Sequence, residues 1–269
     1  MRIAVIVTTY NRIDALRAVL EGYLAQSDGD FEMIVADDGS TMATKDLIEQ
    51  YQAKSPFPIK HVWQEDLGFR ASSIRNRAIA ATDSPYLIFT DGDCIPSRNF
   101  VASHRKLLES GCFLSGNRIL LSESFTMKVL KEKVPVHEWS LSHWLLARVK
   151  GQINRVLPLI RLPGIRRKNA PDRWEGVKTC NLSAWRDDLC KINGLDESYA
   201  GWGLEDSDLV IRLLRSGVKH KSARFSALVF HLWHPENDRS RLAENNRMLS
   251  GLMASDSVRA KVGLDQYLS

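Results

Sequence analysis

No run of about eighteen apolar residues, the length a helix needs to cross a bilayer, occurs in the chain, so no transmembrane span is expected. The N-terminus, "MRIAVIVTTYNR", has too short an apolar stretch for a secretory leader and no small-residue cleavage site behind it. It reads as the opening strand of a fold, and a cytosolic chain is expected. Cysteine is scarce: Cys94, Cys112, Cys180 and Cys190 show no C-x-x-C spacing, which favours neither a zinc site nor a disulfide framework. Reduced thiols are expected. Internal repeats and low-complexity tracts are also lacking.

What is there is a globular composition. The 269 residues, 44% hydrophobic and 26% charged, suffice for one large α/β domain or two small ones with a sizeable core. The net charge of +5 is unevenly placed. Lys128, Lys131, Lys133, Arg148, Lys150, Arg155, Arg161, Arg166, Arg167 and Lys168 are opposed locally only by Glu132 and Glu138, so the remainder of the chain is mildly acidic. A local basic patch implies an anionic partner: a membrane surface, a phosphorylated acceptor or nucleic acid. Nucleic acid is the poorest of the three, because the remaining candidate site residues are largely acidic.

The first third alternates regularly. "RIAVIVTTY", "FEMIVADDGS", "PIKHVWQE" and "PYLIFTDGD" read as strands, separated by helical patterns over "RIDALRAVLEGYLAQ", "TKDLIEQYQAK" and "ASSIRNRAIAATD". This βαβαβαβ order predicts an α/β fold with a mainly parallel, doubly wound sheet, which binds ligands beyond the carboxyl ends of its strands. Thr8, Thr9, Tyr10, Asp37, Asp38, Asp91 and Asp93 stand at those ends. The basic middle reads as amphipathic helix broken by prolines. From Trp174 strand-and-turn character resumes, "EDSDLVIRLLRSG" reads as a helix stopping at Gly217, and the tail after Asp238 reads as helical and polar.

Several short stretches carry possible chemistry, each with a plainer reading beside it. Asp91-Gly92-Asp93 closes a strand, where alternation would turn both carboxylates towards one partner; hard oxygens suit Mg²⁺ or Mn²⁺, but an Asp-Gly turn explains the same residues. His231 and His234 are three apart and suit a metal, Mn²⁺ over Mg²⁺, or are structural histidines. Glu205 and Asp206 follow Gly201-Trp202-Gly203; they either cap a helix or supply a general base. Arg75 either grips a diphosphate or lies on a solvated helix face. Tyr10 stacks on a base or fills a strand end.

Taken together, "VTTYNR", "IVADDGS", "RNRAIAATDSPYLIFTDGD", "NGLDESYAGWGLEDSDL" and "FHLWHPEND" resemble the family 2 glycosyltransferases of GT-A fold. The C-terminal half resembles the galactosyltransferase-type region shared by β-1,4-galactosyltransferases and bacterial chondroitin-type polymerases. The likeness covers about residues 1–110 and 174–240, and its most specific element is G-W-G-x-E-D in order after a D-x-D. It implies a Rossmann-like, mainly parallel sheet flanked by helices, with a basic helical insertion. The expected organisation is a nucleotide-sugar-binding half at 1–122, the insertion at 123–173, an acceptor and catalytic half at 174–240, and a helical tail at 241–269.

By position, the resemblance assigns the donor to Thr8, Tyr10, Asp38, Arg75 and Asp91, with Asp37 a neighbouring candidate. It assigns the metal to Asp93, His231 and His234, the acceptor to Trp202 and Glu205, and the catalytic base to Asp206. The animal galactosyltransferases carry methionine at the position of His231. The implied activity is inverting, metal-dependent transfer of a hexose or N-acetylhexosamine from a UDP-sugar to a glycan or lipid-linked acceptor of a bacterial surface polysaccharide or lipopolysaccharide. Mn²⁺ is the expected ion, with Mg²⁺ possible. A peripheral site at the inner face of the cell membrane is expected, touched through the basic insertion; a solvated insertion with a buried seam is the alternative. The rival functions are a polysaccharide polymerase module and a non-catalytic nucleotide-binding assembly protein.

Overall fold

Alternate residues of the first strand, β1 (Ile3–Thr9), enter two different cores, which is why it is apolar from Ile3 to Val7. Ile3, Val5 and Val7 face one apolar cluster, and Ala4 and Ile6 face the other. The structure, a computed structural model, describes residues 1–160, 167, 170–236 and 238–268. After β1 come α1 (Ile13–Leu24), β2 (Phe31–Asp37), α2 (Met42–Lys54), β3 (Ile59–Trp63), α3 (Ala71–Ala80) and β4 (Tyr86–Asp91). The first core is closed by α1 and α2 through Leu16, Val19, Tyr23, Leu47 and Ile48, and the second by α3 through Ile74 and Ala78. Helices thus cover both faces of the sheet.

The chain continues through β5 (Cys94–Pro96), α4 (Phe100–Leu107), β6 (Cys112–Ser115), β7 (Asn117–Leu120), α5 (Glu123–Glu132) and α6 (Leu141–Val149). It then forms β8 (Asn181–Trp185), α7 (Arg186–Lys191), α8 (Glu205–Arg215), β9 (Lys219–Ser222), β10 (Leu228–His231) and α9 (Leu242–Met253). The large sheet has the order β3-β2-β1-β4-β8-β6-β9. Its first four strands are mutually parallel, as the sequence predicts. Beyond them β8 runs antiparallel to both β4 and β6. A second sheet, β5-β10-β7, stands apart from it. Neither the reversed β8 nor this small sheet was legible in the sequence, since both pair segments far apart in the chain.

Strands of the two expected halves interleave, with β6 lying between β8 and β9. The acidic helix α8 ends at Arg215, two residues before Gly217, whose φ of +97° suits only glycine without strain. The middle segment holds α5 and α6, as its amphipathic pattern suggested. Arg161, Arg166 and Lys168 of the basic run lie outside the described residues.

Candidate active site

The exits of β1, β2 and β4 meet the start of α8 and the end of β10, and the candidate residues gather there. At the exit of β4 the chain turns sharply: Gly92 N–H donates to Thr8 O at 2.7 Å. A Cβ on Gly92 would stand 2.8 Å from Thr9 Oγ1, so only glycine lets the turn lie against β1. Because the strand breaks at Gly92, Asp91 and Asp93 do not share one partner as simple alternation suggested. Asp91 turns to Arg75, and Asp93 to the two histidines and Arg12.

Arg75 occupies the centre. It is 5% exposed, which removes the reading of a solvated helix face. Its Nη2 donates to Asp91 Oδ1 at 3.0 Å, its Nε donates to Thr8 Oγ1 at 3.1 Å, and its Nη1 lies 3.7 Å from Glu205 Oε1. Burial opposes its charge, but Asp91, Asp206 and Glu205 together hold its pKa above the ordinary arginine value. Neither Arg75 Nη1 nor Glu205 Oε2 has a hydrogen-bond partner among the described residues, although both are buried. Buried polar atoms without protein partners need a water or a ligand to complete their hydrogen bonds.

The carboxylates respond to the same crowding. Asp91 is raised to about 6, by burial first, with Arg75 pulling it down and Asp93 and Asp206 pushing it up. Glu205 is raised to about 7, by burial first and by neighbouring Asp206 second, against the pull of Arg75. Asp206 is equally enclosed at 9% exposure. Its Oδ1 accepts from Thr179 Oγ1 at 2.5 Å, and Lys178 Nζ stands 3.9 Å from Oδ2. No side-chain hydrogen bond caps α8, so helix capping does not account for Glu205 and Asp206. They are presented by a turn in which Gly201, Gly203 and Leu204 all have positive φ, Leu204 at +77°. Leucine rarely adopts that conformation, and such backbone outliers cluster at functional sites. Trp202 lies in this turn, with the Arg239 guanidinium 5.3 Å from the centre of its ring.

Asp93, His231 and His234 offer ligand atoms that all lie within 4.8 Å of one another. His231 Nε2 is 3.8 Å from Asp93 Oδ1, and His234 Nε2 is 3.6 Å from Asp93 Oδ2. Burial lowers the pKa of His231, with Asp93 opposing, which keeps a nitrogen lone pair available. One carboxylate and two imidazoles, all half-buried, fit a divalent first-row ion, and the nitrogens favour Mn²⁺ over Mg²⁺. Arg12 also reaches Asp93 Oδ2, at 3.2 Å, and donates to Trp233 O at 3.3 Å. A second cluster, Asp91 with Cys94 and Cys180, shares the same spacing, but Asp91 is already paired with Arg75 and burial pushes the Cys94 thiol well above its ordinary pKa, which keeps it protonated and a poor ligand.

On the expected donor side, Asp38 is buried and its pKa is raised by that burial. It accepts from Gln64 Nε2 at 2.6 Å and from Arg70 N at 2.8 Å. Gln64 Oε1 accepts from Ser73 Oγ at 3.0 Å; Ser73 meets the Tyr267 hydroxyl at 3.1 Å, and that hydroxyl donates to Glu197 Oε2 at 2.9 Å. A chain of contacts therefore runs from the C-terminal segment to Asp38. Asp37 is occupied differently, accepting from Ser40 N and facing His61 Nε2 at 2.9 Å. Tyr10 is exposed, and its hydroxyl donates to Asp66 Oδ2 at 2.8 Å.

Sequence reasoning missed Arg12, Gln64, Lys178, Thr179 and Tyr267. Arg12 ends the quoted "TTYNR" stretch and was within reach. The others carry no local signal, because their neighbours are set by pairing between distant segments.

Comparison with known proteins gives two matching family profiles. Glycosyl transferase family 2 matches residues 4–154, and the N-terminal domain of galactosyltransferase matches residues 163–235. Validoxylamine A glucosyltransferase of Streptomyces hygroscopicus subsp. limoneus is 31% identical over 270 residues, covering 93% of this chain and 54% of its own length. Chondroitin synthase of Escherichia coli is 27% identical over 260 residues, covering 91% of this chain and 37% of its own. The chain thus spans about half or less of these relatives. Among solved structures, S. aureus TarS 1–349 in complex with UDP superposes with a TM-score of 0.64 at 14% identity, over 99% of this chain and 68% of that one. The mannosyltransferase PcManGT from Pyrobaculum calidifontis, in complex with GDP-Man and Mn²⁺, gives 0.57 at 16% identity, over 86% and 56%. At these identities the two structures establish the shared GT-A fold and nothing finer.

Proposed function

The chain belongs to glycosyl transferase family 2, and from that premise we propose that it transfers a hexose or N-acetylhexosamine from a UDP-sugar, with inversion, to a hydroxyl of a bacterial surface glycan. The observation that carries this reading is the buried Arg75 held between Asp91 and Glu205, with Arg75 Nη1 and Glu205 Oε2 lacking hydrogen-bond partners among the described residues. A buried cation beside three carboxylates is costly to maintain, and a substrate that completes its hydrogen bonds gives it a purpose.

In this reading Thr8, Tyr10, Asp38, Arg75 and Asp91 hold the UDP-sugar, while Trp202 and Glu205 position the acceptor. Glu205 with a pKa near 7 is partly protonated at neutral pH, so it can donate to or accept from a sugar hydroxyl. Asp206 takes the proton of the attacking hydroxyl; the acceptor oxygen bonds to the anomeric carbon as the bond to the diphosphate oxygen breaks. Thr179 holds Asp206 in place through its hydrogen bond, and Lys178 Nζ stands 3.9 Å from its other carboxylate oxygen. No protein nucleophile is required. Asp93, His231 and His234 would hold a divalent cation, Mn²⁺ or Mg²⁺, which supplies positive charge to the departing diphosphate.

The matched relatives named as glucosyltransferases make UDP-glucose the first donor to try. A second reading, one transferase module of a polysaccharide synthase, draws support from the likeness to chondroitin and hyaluronan synthases. A lipid-linked acceptor at the inner membrane face agrees with either. Turnover of a UDP-sugar panel, with Mn²⁺ and with chelator, tests the proposal: chelator-sensitive release of UDP from one donor is expected. Tight UDP binding without turnover on any acceptor would instead favour a non-catalytic nucleotide-binding protein.

A further inference from the structure

Helix α6 packs one side and bares the other. Trp144 and Ala147 are buried, and the Trp144 ring stacks on Phe230 of β10 at 4.2 Å between centroids. Leu141, Leu145, Leu146 and Val149 are exposed, Val149 at 85%, and the spacing of 141, 145 and 149 puts them along one stripe. Beyond the helix, Leu157 and Ile160 are exposed too. Leu159 and Pro158 line a cleft of about 240 Å³ together with Leu141 and Trp144, which brings this later segment beside the start of α6. Exposed apolar side chains grouped in this way, unlike scattered ones, mark an interaction surface.

The charges beside the stripe select its partner. Arg148 and Lys150 are exposed and form no ion pair among the described residues, and Lys131 and Lys133 are exposed on the preceding segment. A second copy docking here would bring like charges together, which disfavours self-association. An anionic lipid surface accepts both groups, taking apolar side chains below the headgroups and Lys or Arg among them. At nine residues α6 is far too short to span, and no helix among the described residues is long and apolar enough to cross a membrane.

We propose that the stripe Leu141, Leu145 and Val149 of α6, together with the exposed Leu146 and flanked by Arg148 and Lys150, lies in the surface of an anionic bilayer. The choice of lipid over another anionic partner rests on the lipid-linked acceptor proposed above. This surface is built onto the candidate metal site. Trp144 stacks on the strand that carries His231, Leu121 N–H donates to His231 O at 2.9 Å, and Thr126 Oγ1 of α5 accepts from Trp233 N at 2.9 Å. Docking through α6 therefore fixes the metal-ligand strand relative to the bilayer.

The experiment is flotation of the full chain with equimolar phosphatidylglycerol–phosphatidylcholine vesicles, against phosphatidylcholine alone, with UDP-sugar hydrolysis read on the same samples. Flotation with the anionic vesicles only is expected. Leu145→Ser with Val149→Ser is expected to lower the bound fraction at least roughly tenfold at low salt. Arg148→Gln with Lys150→Gln is expected to lower it several-fold and to make it less sensitive to salt than the wild-type chain. Both variants change exposed residues, and unaltered hydrolysis would report an intact fold. Flotation unchanged in both variants overturns the proposal, as does a concentration-dependent dimer that Leu145→Ser with Val149→Ser dissociates. A chain that floats without hydrolysing any donor counts against the transferase reading and leaves the membrane surface standing.

Discussion

Arg75 Nη2 and Asp91 Oδ1 lie 3.0 Å apart, tying α3 to the end of β4 where the donor is expected. The same guanidinium faces Glu205, so one buried cation serves the sheet and α8 together. Arg75→Ala would leave Asp91 and Glu205 without their cation. Loss of about 3 kcal/mol of stability is expected, with a fall in kcat/KM of at least roughly a hundredfold. Arg75→Lys restores charge but not three donors in a plane, so it is expected to recover little activity. Thermal unfolding and steady-state kinetics on the three proteins check this.

Asp206 is the proposed base, so Asp206→Asn should lower kcat by roughly two to four orders of magnitude and leave KM for the UDP-sugar within about threefold. Thr179→Val removes only the 2.5 Å hydrogen bond that orients it, and a fall of roughly tenfold is expected. A large rise in donor KM with unchanged kcat would move Asp206 to the donor side.

Glu205 sets a pH dependence of definite sign. Its carboxyl goes from 4.5 in the unfolded chain to about 7 in the fold, so between these values the folded state holds more protons. Stability from this group is present below about 4.5 and is lost as pH rises through about 7. Glu205→Gln removes the penalty. The variant is expected to be more stable than wild type at pH 8, on the order of 2 kcal/mol, with little difference at pH 4.5. It should also transfer sugar poorly, since stability and function oppose one another at such sites. Denaturant unfolding at the two pH values measures the difference.

Gln64 is held between Ser73 and Asp38, and the Tyr267 hydroxyl holds Ser73 in turn. Gln64→Leu removes one of two donors to a buried carboxylate and is expected to weaken UDP binding about tenfold. Tyr267→Phe, further along, should weaken it only a few-fold. Calorimetric titration with UDP distinguishes these from a loss of folding, which would abolish binding altogether.

The parallel half of the fold was legible because β1 and β4 are apolar runs ending in polar residues, β2 and β3 are short β-branched or aromatic stretches, and a short helical pattern joins each to the next. The candidate site was partly legible for the same reason: Asp38, Asp91 and Asp93 are strand-end residues, and the Gly-Trp-Gly turn marks Glu205 and Asp206. What the chain did not reveal locally is how these stretches meet. That depends on β8 entering antiparallel beside β4 and on β10 pairing with β5, contacts between segments far apart in sequence. Strand alternation alone would turn Asp91 and Asp93 towards one partner, but the strand ends at Asp91 and the turn sends Asp93 to the histidines; separate donor and metal tasks for the two come only from the family resemblance.

The most direct measurement is anomalous scattering from a crystal of the chain grown with Mn²⁺ and UDP. One manganese ion bonded to Asp93, His231 and His234 at roughly 2.0–2.5 Å, and touching the diphosphate, is the expected result. Manganese bound away from these three side chains, or UDP seated with no ion between it and Asp93, would contradict it.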